Sequence, residues 1–190
     1  MIKNILVTEG AGYIGSHIIE ILIKRGKKVF IIDNLSTGHR KLINNKAKFF
    51  KLNILNTSKL KELINKYNID SMIHLAANLI IGEGERKPKQ YFRNNVTGTK
   101  SVLKACEGTK VKNFLFSSTA AVYKDGIYRV TEKSQIKPQS IYGKTKIKAE
   151  KLIKTNCKKS KINYAILRYF NIAGSSPSGK IGLLNQSDNV

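Results

Sequence analysis

Acidic residues are scarce in this 190-residue chain, 12 against 35 lysines and arginines; cysteine occurs only twice, and no apolar run escapes interruption by Lys or Arg long enough to span a bilayer. Each shortage excludes something. Cys106 and Cys157 lie far apart with no C-x-x-C, so neither a disulfide framework nor a cysteine metal site is signalled, and two reduced, inert thiols are expected. Without a long apolar stretch no membrane partner is expected. The chain starts directly on a strand-like run, so no signal peptide and a cytoplasmic location are expected. The acid deficit leaves a formal charge of +23, which can attract nucleic acid or an anionic membrane. The lysines are nevertheless spread through the helical segments, with one short cluster at Lys158, Lys159 and Lys161 and no interleaved aromatics. A genome-wide bias toward Lys, Asn and Ile accounts for the charge as well as function does, and no specific nucleic-acid partner is expected.

With 41% hydrophobic and 25% charged residues the composition is globular, and the length suits one substantial core. The chain is organised around Thr8-Glu9-Gly10-Ala11-Gly12-Tyr13-Ile14-Gly15-Ser16-His17, between a strand-like run (Ile2, Ile5, Leu6, Val7) and a helix-like one (Ile14, Ile18, Ile21, Leu22). Gly10, Gly12 and Gly15 fit G-x-G-x-x-G, in which a tight turn brings bare backbone to a pyrophosphate on a helix N-terminus. Asp33 closes the second apolar run, Val29-Phe30-Ile31-Ile32, eighteen residues after Gly15, where a carboxylate can bond both ribose hydroxyls. That charge favours NAD over NADP, whose 2′-phosphate it would repel. The competing reading is a glycine turn without a ligand and a solvated aspartate.

Further along, Ala47 to Asn53 alternates as a strand, Leu60, Leu63, Ile64 and Tyr67 mark a helix face, and Ser71 to Ala77 reads as a buried strand. Ile80 to Lys89, holding Gly82, Gly84 and Pro88, is expected to be a loop. A long helix follows with Phe92, Val96, Thr99, Leu103 and Cys106 on one face. Then come a strand Asn113–Thr119, a polar loop Lys124–Gln139, a helix from Ile141 to about Cys157 and a last strand Tyr164–Phe170. Six strands alternating with helices predict an α/β fold, a Rossmann-type doubly wound parallel sheet with its ligand at the strands' carboxyl ends. Residues 1–175 form the predicted NAD-binding domain, and 176–190 the start of a second lobe.

Tyr142 and Lys146 are four apart on a helix, and Thr119 ends the preceding strand, so the three can meet over a nicotinamide. A tyrosine with its ordinary pKa near ~10 is a poor base at neutral pH, but a nearby lysine ammonium and an oxidised nicotinamide lower it. Lys146 is then the tuner, Tyr142 the proton carrier, and Thr119 the group that holds the substrate oxygen. Taken singly, Thr119 reads equally well as a strand-end hydroxyl and Tyr142 as a core aromatic. Their order with the loop and Asp33 favours function.

These stretches, with Asp33-Asn34-Leu35, His74-Leu75-Ala76-Ala77, Asn94-Asn95-Val96, Ser117 to Tyr123 and Leu167-Arg168-Tyr169-Phe170-Asn171, resemble the UDP-glucose 4-epimerases of the extended short-chain dehydrogenase/reductase superfamily over essentially the whole chain. The resemblance implies that Tyr142 removes the sugar 4-hydroxyl proton, that NAD takes and returns the C4 hydride, and that UDP-galactose and UDP-glucose interconvert. It also implies NAD contacts from Tyr13, Ile14, Asn34, Asn53, Ile54, Leu75 and Asn94, packing of Phe170 on the nicotinamide side, and a contact of Asn171 with the substrate phosphate. Ala120 and Ala121 supply no carboxylate after Thr119, which fits epimerisation rather than elimination. His17, His39 and His74 are read as neither metal ligands nor bases, and no metal is expected.

Three departures from the family stand out. Glu9 occupies a position usually held by glycine and brings negative charge toward the pyrophosphate. Asn53 replaces a usual aspartate near the adenine. The chain also ends before the family's C-terminal lobe, which closes over the uridine. That leads to three expectations: a truncated epimerase-type product with little or no turnover, an apolar sheet edge that favours self-association as a homodimer, and, as alternatives, a non-catalytic NAD-binding module or a basic nucleic-acid-binding protein.

Overall fold

β-branched and aromatic runs separated by amphipathic segments build one parallel sheet in the computed structural model, which describes residues 2–126 and 129–184. In chain order the main elements are β1 (Asn4–Thr8), α1 (Tyr13–Lys24), β2 (Lys28–Asp33), β3 (Lys48–Lys51), α2 (Thr57–Lys66), β4 (Ser71–His74), α3 (Ile81–Arg86), α4 (Pro88–Tyr91), a π-helical turn Phe92–Thr97, α5 (Gly98–Cys106), β5 (Asn113–Thr119), α6 (Ile141–Lys159) and β6 (Asn163–Tyr169). The six strands lie in the order β3-β2-β1-β4-β5-β6, all neighbours parallel. The predicted Rossmann-type sheet is therefore observed, with its topological switch between β1 and β4, where such sheets receive ligands.

Alternation along the strands sorts the core into two layers. Leu6, Phe30, Ile32, Met72, Phe114 and Phe116 pack with Leu60 and Ile64 of α2, Val102, Leu103 and Cys106 of α5, and Ala149, Ile153 and Cys157 of α6. On the opposite face Ile5, Val7, Val29 and Ile31 pack with Ile19 of α1. Both cysteines are buried free thiols. Among the described residues no other helix covers that second face beyond β1 and β2, and Ile21, Leu167 and Ile172 stay exposed beside it.

Four expectations need correction. Residues 81–86 are helical rather than loop: Tyr91, fully buried, packs its ring against Gly84 and donates its hydroxyl to the Ile80 carbonyl at 2.7 Å. β4 stops at His74, not Ala77, because the next amides leave the ladder for side chains, those of Leu75 and Ala76 donating to Thr8 Oγ1 and that of Ala77 to Glu9 Oε2. The helix after Pro88 carries a π turn, which inserts a residue and shifts the buried face, so that Tyr91 and Asn95 are buried while Phe92 and Val96 are only partly so. The last strand ends at Tyr169, leaving Phe170 exposed. Within the expected loop 124–139, residues 127 and 128 lie outside the described residues, as do 185–190 of the predicted lobe start.

Candidate active site

The turn after β1 brings the N-terminus of α1 against the sheet edge. A side-chain carbon on Gly15 would sit 2.3 Å from the Glu9 carbonyl oxygen, so only glycine lets the helix approach so closely. Gly10 is buried between Ile19 and Ile31. Gly12 caps α1, which has no side-chain cap bond and no acidic residue in its first turn, leaving its N-terminal amides available to an anion.

Two depressions open along the carboxyl edge, one on each side of Glu9. The first, about 390 Å³, is lined by Glu9, Ile32, Asp33, Asn34, Ser36, Thr37, Ile54, Ala77, Asn78 and Asn94 among others. Asp33 is only 5% exposed; its Oδ2 accepts from the Ala11 amide at 3.1 Å and its Oδ1 from the Leu35 amide at 2.8 Å. Burial raises its pKa, and those amides oppose the rise. Asn94 reaches Asn78 Oδ1 at 3.1 Å, while Asn95 holds the Asn78 backbone through both its amide atoms. Asn53 does not join this lining: it is exposed, and its Oδ1 accepts from the Leu55 amide.

The second depression, about 1540 Å³ and open to solvent, brings together Glu9, Tyr13, Ile14, Gly15, Leu75, Thr119, Tyr142, Lys146, Phe170 and Asn171, with Ser117 and Tyr169. Tyr142 and Lys146 share a face of α6, whose start is fixed by the Ser140 cap on the Gly143 amide. A side-chain carbon on Gly143 would fall 2.4 Å from the Ala121 carbonyl, so glycine seats the helix directly on the turn after Thr119. Lys146 is 2% exposed, donates to the Ser117 carbonyl at 2.8 Å, and has its Nζ 5.8 Å from the Tyr142 ring centre. Burial lowers its pKa to about 8, against the pull of Glu9 and Glu150.

Tyr142 departs from the sequence expectation. Burial raises its pKa to about 12; hydrogen bonding from Thr119 counters this, and Tyr169, Glu9 and Tyr91 add to it. The protein's own groups therefore hold the phenol protonated.

Sequence reasoning missed Glu150, one further turn along the same face as Tyr142 and Lys146. Fully buried, it accepts from Ser118 at 2.5 Å and takes both ends of the Arg168 guanidinium at 2.9 and 2.6 Å. The eight-residue spacing from Tyr142 was the available signal. Arg168 also donates to Tyr123, so β5, β6 and α6 are tied at one point.

His74 lies fully buried in a closed chain of bonds. Thr8, already accepting two amides, donates to Nδ1 at 2.8 Å; Nε2 then faces Thr99 at 3.0 Å, and Thr99 donates to the Asn95 carbonyl. Burial first and Lys146 second lower its pKa to about 3, so it stays neutral. His17 packs edge-on to Tyr13, and His39 is buried near the first cavity's loop. No cluster of three or more metal-ligating side chains occurs among the described residues.

A glycine-turned helix N-terminus at the switch of a parallel sheet, an aspartate ending β2, and a Thr–Tyr–Lys group at the ends of β5 and α6 define a Rossmann-type protein with the site layout of a short-chain dehydrogenase/reductase. Residues 5–186 match the NAD dependent epimerase/dehydratase family, and the chain belongs to it. Its relatives include the UDP-glucose 4-epimerase of Lactobacillus helveticus, 42% identical over 94% of this chain and 54% of that protein. Among solved structures, the UDP-glucose 4-epimerase from Brucella ovis in complex with NAD aligns with a TM-score of 0.92 at 37% identity, covering 97% of this chain and 57% of the other. The Thermotoga maritima UDP-glucose 4-epimerase with UDP-glucose aligns at 0.86 and 31% identity, covering 94% and 60%. The chain thus spans about half the length of the curated relatives it matches.

Proposed function

We propose that the chain carries the dinucleotide-binding and proton-transfer half of a UDP-glucose 4-epimerase-type site, with NAD as cofactor and a UDP-sugar as substrate. The observation that carries this reading is the convergence of Thr119, Tyr142 and Lys146 on one cleft that adjoins the Asp33 cavity at Glu9 and Ala77. Asp33 lines its cavity with acceptor capacity beyond the amides it already holds, and the uncapped α1 N-terminus fits a diphosphate, so the residues suit a dinucleotide. When bound, the nicotinamide supplies the hydride acceptor and a positive charge.

Thr119 holds the sugar hydroxyl against Tyr142, which takes the hydroxyl proton and later returns it. Lys146, held on Ser117, keeps a positive charge beside the phenol below about pH 8. A phenol held near 12 by burial makes Lys146 alone an insufficient tuner and assigns the remaining lowering to the cofactor's charge. Phe170 and Asn171 stand at the solvent side of the cleft, Asn171 facing the substrate phosphate. The free thiols accord with a cytoplasmic setting, and pairing of two copies through the uncovered sheet face is the proposed assembly.

A non-catalytic NAD-binding module is the second reading, favoured by the burial that holds the Tyr142 phenol protonated. Titration with NAD followed by UDP-galactose separates the two. Binding with appearance of UDP-glucose, lost in Tyr142→Phe while NAD binding persists, supports the first; binding without turnover selects the module; no binding removes both.

A further inference from the structure

Glu9, like Leu35 in the loop after β2, carries an unusual backbone at the groove. It is a non-glycine residue at φ +57°, in the left-handed region. The turn aims its side chain across the groove. Its Oε2 accepts from the Ala77 amide at 2.9 Å, beyond β4. On the other side, a side-chain carbon placed on Gly12 would lie 3.2 Å from Glu9 Cγ and 3.3 Å from Oε1. The carboxyl group thus bridges from the N-terminus of α1 to the loop after β4, and it borders both depressions. A ligand reaching from Asp33 to Tyr142 must pass it with its diphosphate.

Resting on the dinucleotide reading above, we infer that Glu9 is the specificity-determining residue of this groove: it admits a diphosphate-bridged dinucleotide only with its carboxyl group protonated, and leaves the Asp33 cavity open to an uncharged nucleoside in either state. The groups that face it are Asp33 at the end of β2, Tyr142 and Lys146 on α6, and Tyr169 on β6; the β4 histidine, His74, is neutral. Burial outweighs the Ala77 amide and Lys146, and with Asp33 it raises the Glu9 pKa to about 7. The carboxyl group is therefore poised to change state in the neutral range. A ligand restricted to the protonated form loses affinity in proportion to that fraction, about tenfold between pH 6 and pH 8.

The test is calorimetric titration of the full chain with NAD and, separately, adenosine at pH 6, 7 and 8, in buffers of different ionisation enthalpy. The expected result for the wild-type chain is an NAD affinity that weakens about tenfold over this range with proton uptake, while adenosine affinity stays constant. Glu9→Gln should lose the slope and the uptake, and Glu9→Gly should bind NAD most tightly at pH 8. Equal NAD slopes in wild type and Glu9→Gln, or the same slope for adenosine, would overturn the gate and leave the nucleotide groove standing. Absence of both NAD and adenosine binding from wild type and both variants would instead remove the groove reading, and the gate with it.

Discussion

At the scale of single residues, Glu9 combines two costs. A left-handed backbone in a non-glycine residue costs about 1–2 kcal/mol, and a carboxylate is held there against burial. Glu9→Gly is expected to raise stability by roughly 1 kcal/mol despite losing the Ala77 bond, measured by urea unfolding. The pH dependence has a definite sign. Between an ordinary value near 4.5 and about 7 the native state keeps a proton that the unfolded chain has released, so the stability contributed by Glu9 falls as pH rises through that window. Glu9→Gln removes this term, and its stability advantage over wild type should grow from pH 4.5 to 7 and reach roughly 3 kcal/mol by pH 8. A constant difference between the two unfolding curves would show that the carboxyl group titrates normally. That Thr119, Tyr142 and Lys146 line one cleft was legible because a turn of helix and a strand end have fixed spacings. Asn78 and Asn95 were not: their role comes from a pairing across the π turn that no local spacing encodes.

At the scale of elements, α6 places Tyr142 and Lys146 on the cleft, and two contacts hold it. Glu150 is a buried carboxylate bonded to Ser118 and the Arg168 guanidinium. Glu150→Ala leaves the Arg168 charge without its counter-ion, bonded only to the Tyr123 hydroxyl, and a loss of about 3 kcal/mol is expected, with Glu150→Gln milder. Thermal unfolding of the two variants checks the order. Gly143→Ala would push α6 off the Ala121 carbonyl, costing about 1–3 kcal/mol and displacing Tyr142. Five strands were readable from their apolar runs and approximate ends, and β4 was readable except for its last residues. α3 was hidden because Gly82, Gly84 and Pro88 are loop-forming by local propensity; the helix exists through the burial of Tyr91 and the Glu85 bond to the Ile141 amide, which are tertiary facts.

At the scale of the whole molecule, a formal charge of +23 and an uncovered apolar sheet face act in opposite directions. Charge repulsion keeps copies apart at low ionic strength, and salt shortens its reach to about 10 Å at 0.1 M. Sedimentation velocity is therefore expected to show association rising with added salt, and Leu167→Lys on the exposed face should reduce it. Association that salt dissolves would point to charge pairing instead. No helix among the described residues is long and apolar enough to cross a membrane. The sequence pattern readily gave the sheet and its ligand edge. It did not reveal which face stays bare, because that depends on the sides chosen by the crossover helices.

The dinucleotide groove ends at Asp33. Its most direct measurement is a competitive titration of NAD and NADP against the wild-type chain at pH 6 and physiological salt. So basic a chain would by unspecific attraction prefer the more highly charged NADP. The buried Asp33 carboxylate predicts the reverse: saturable one-to-one binding of NAD, with NADP weaker by about tenfold or more. Equal or tighter binding of NADP, or no saturable binding of NAD, would contradict the account.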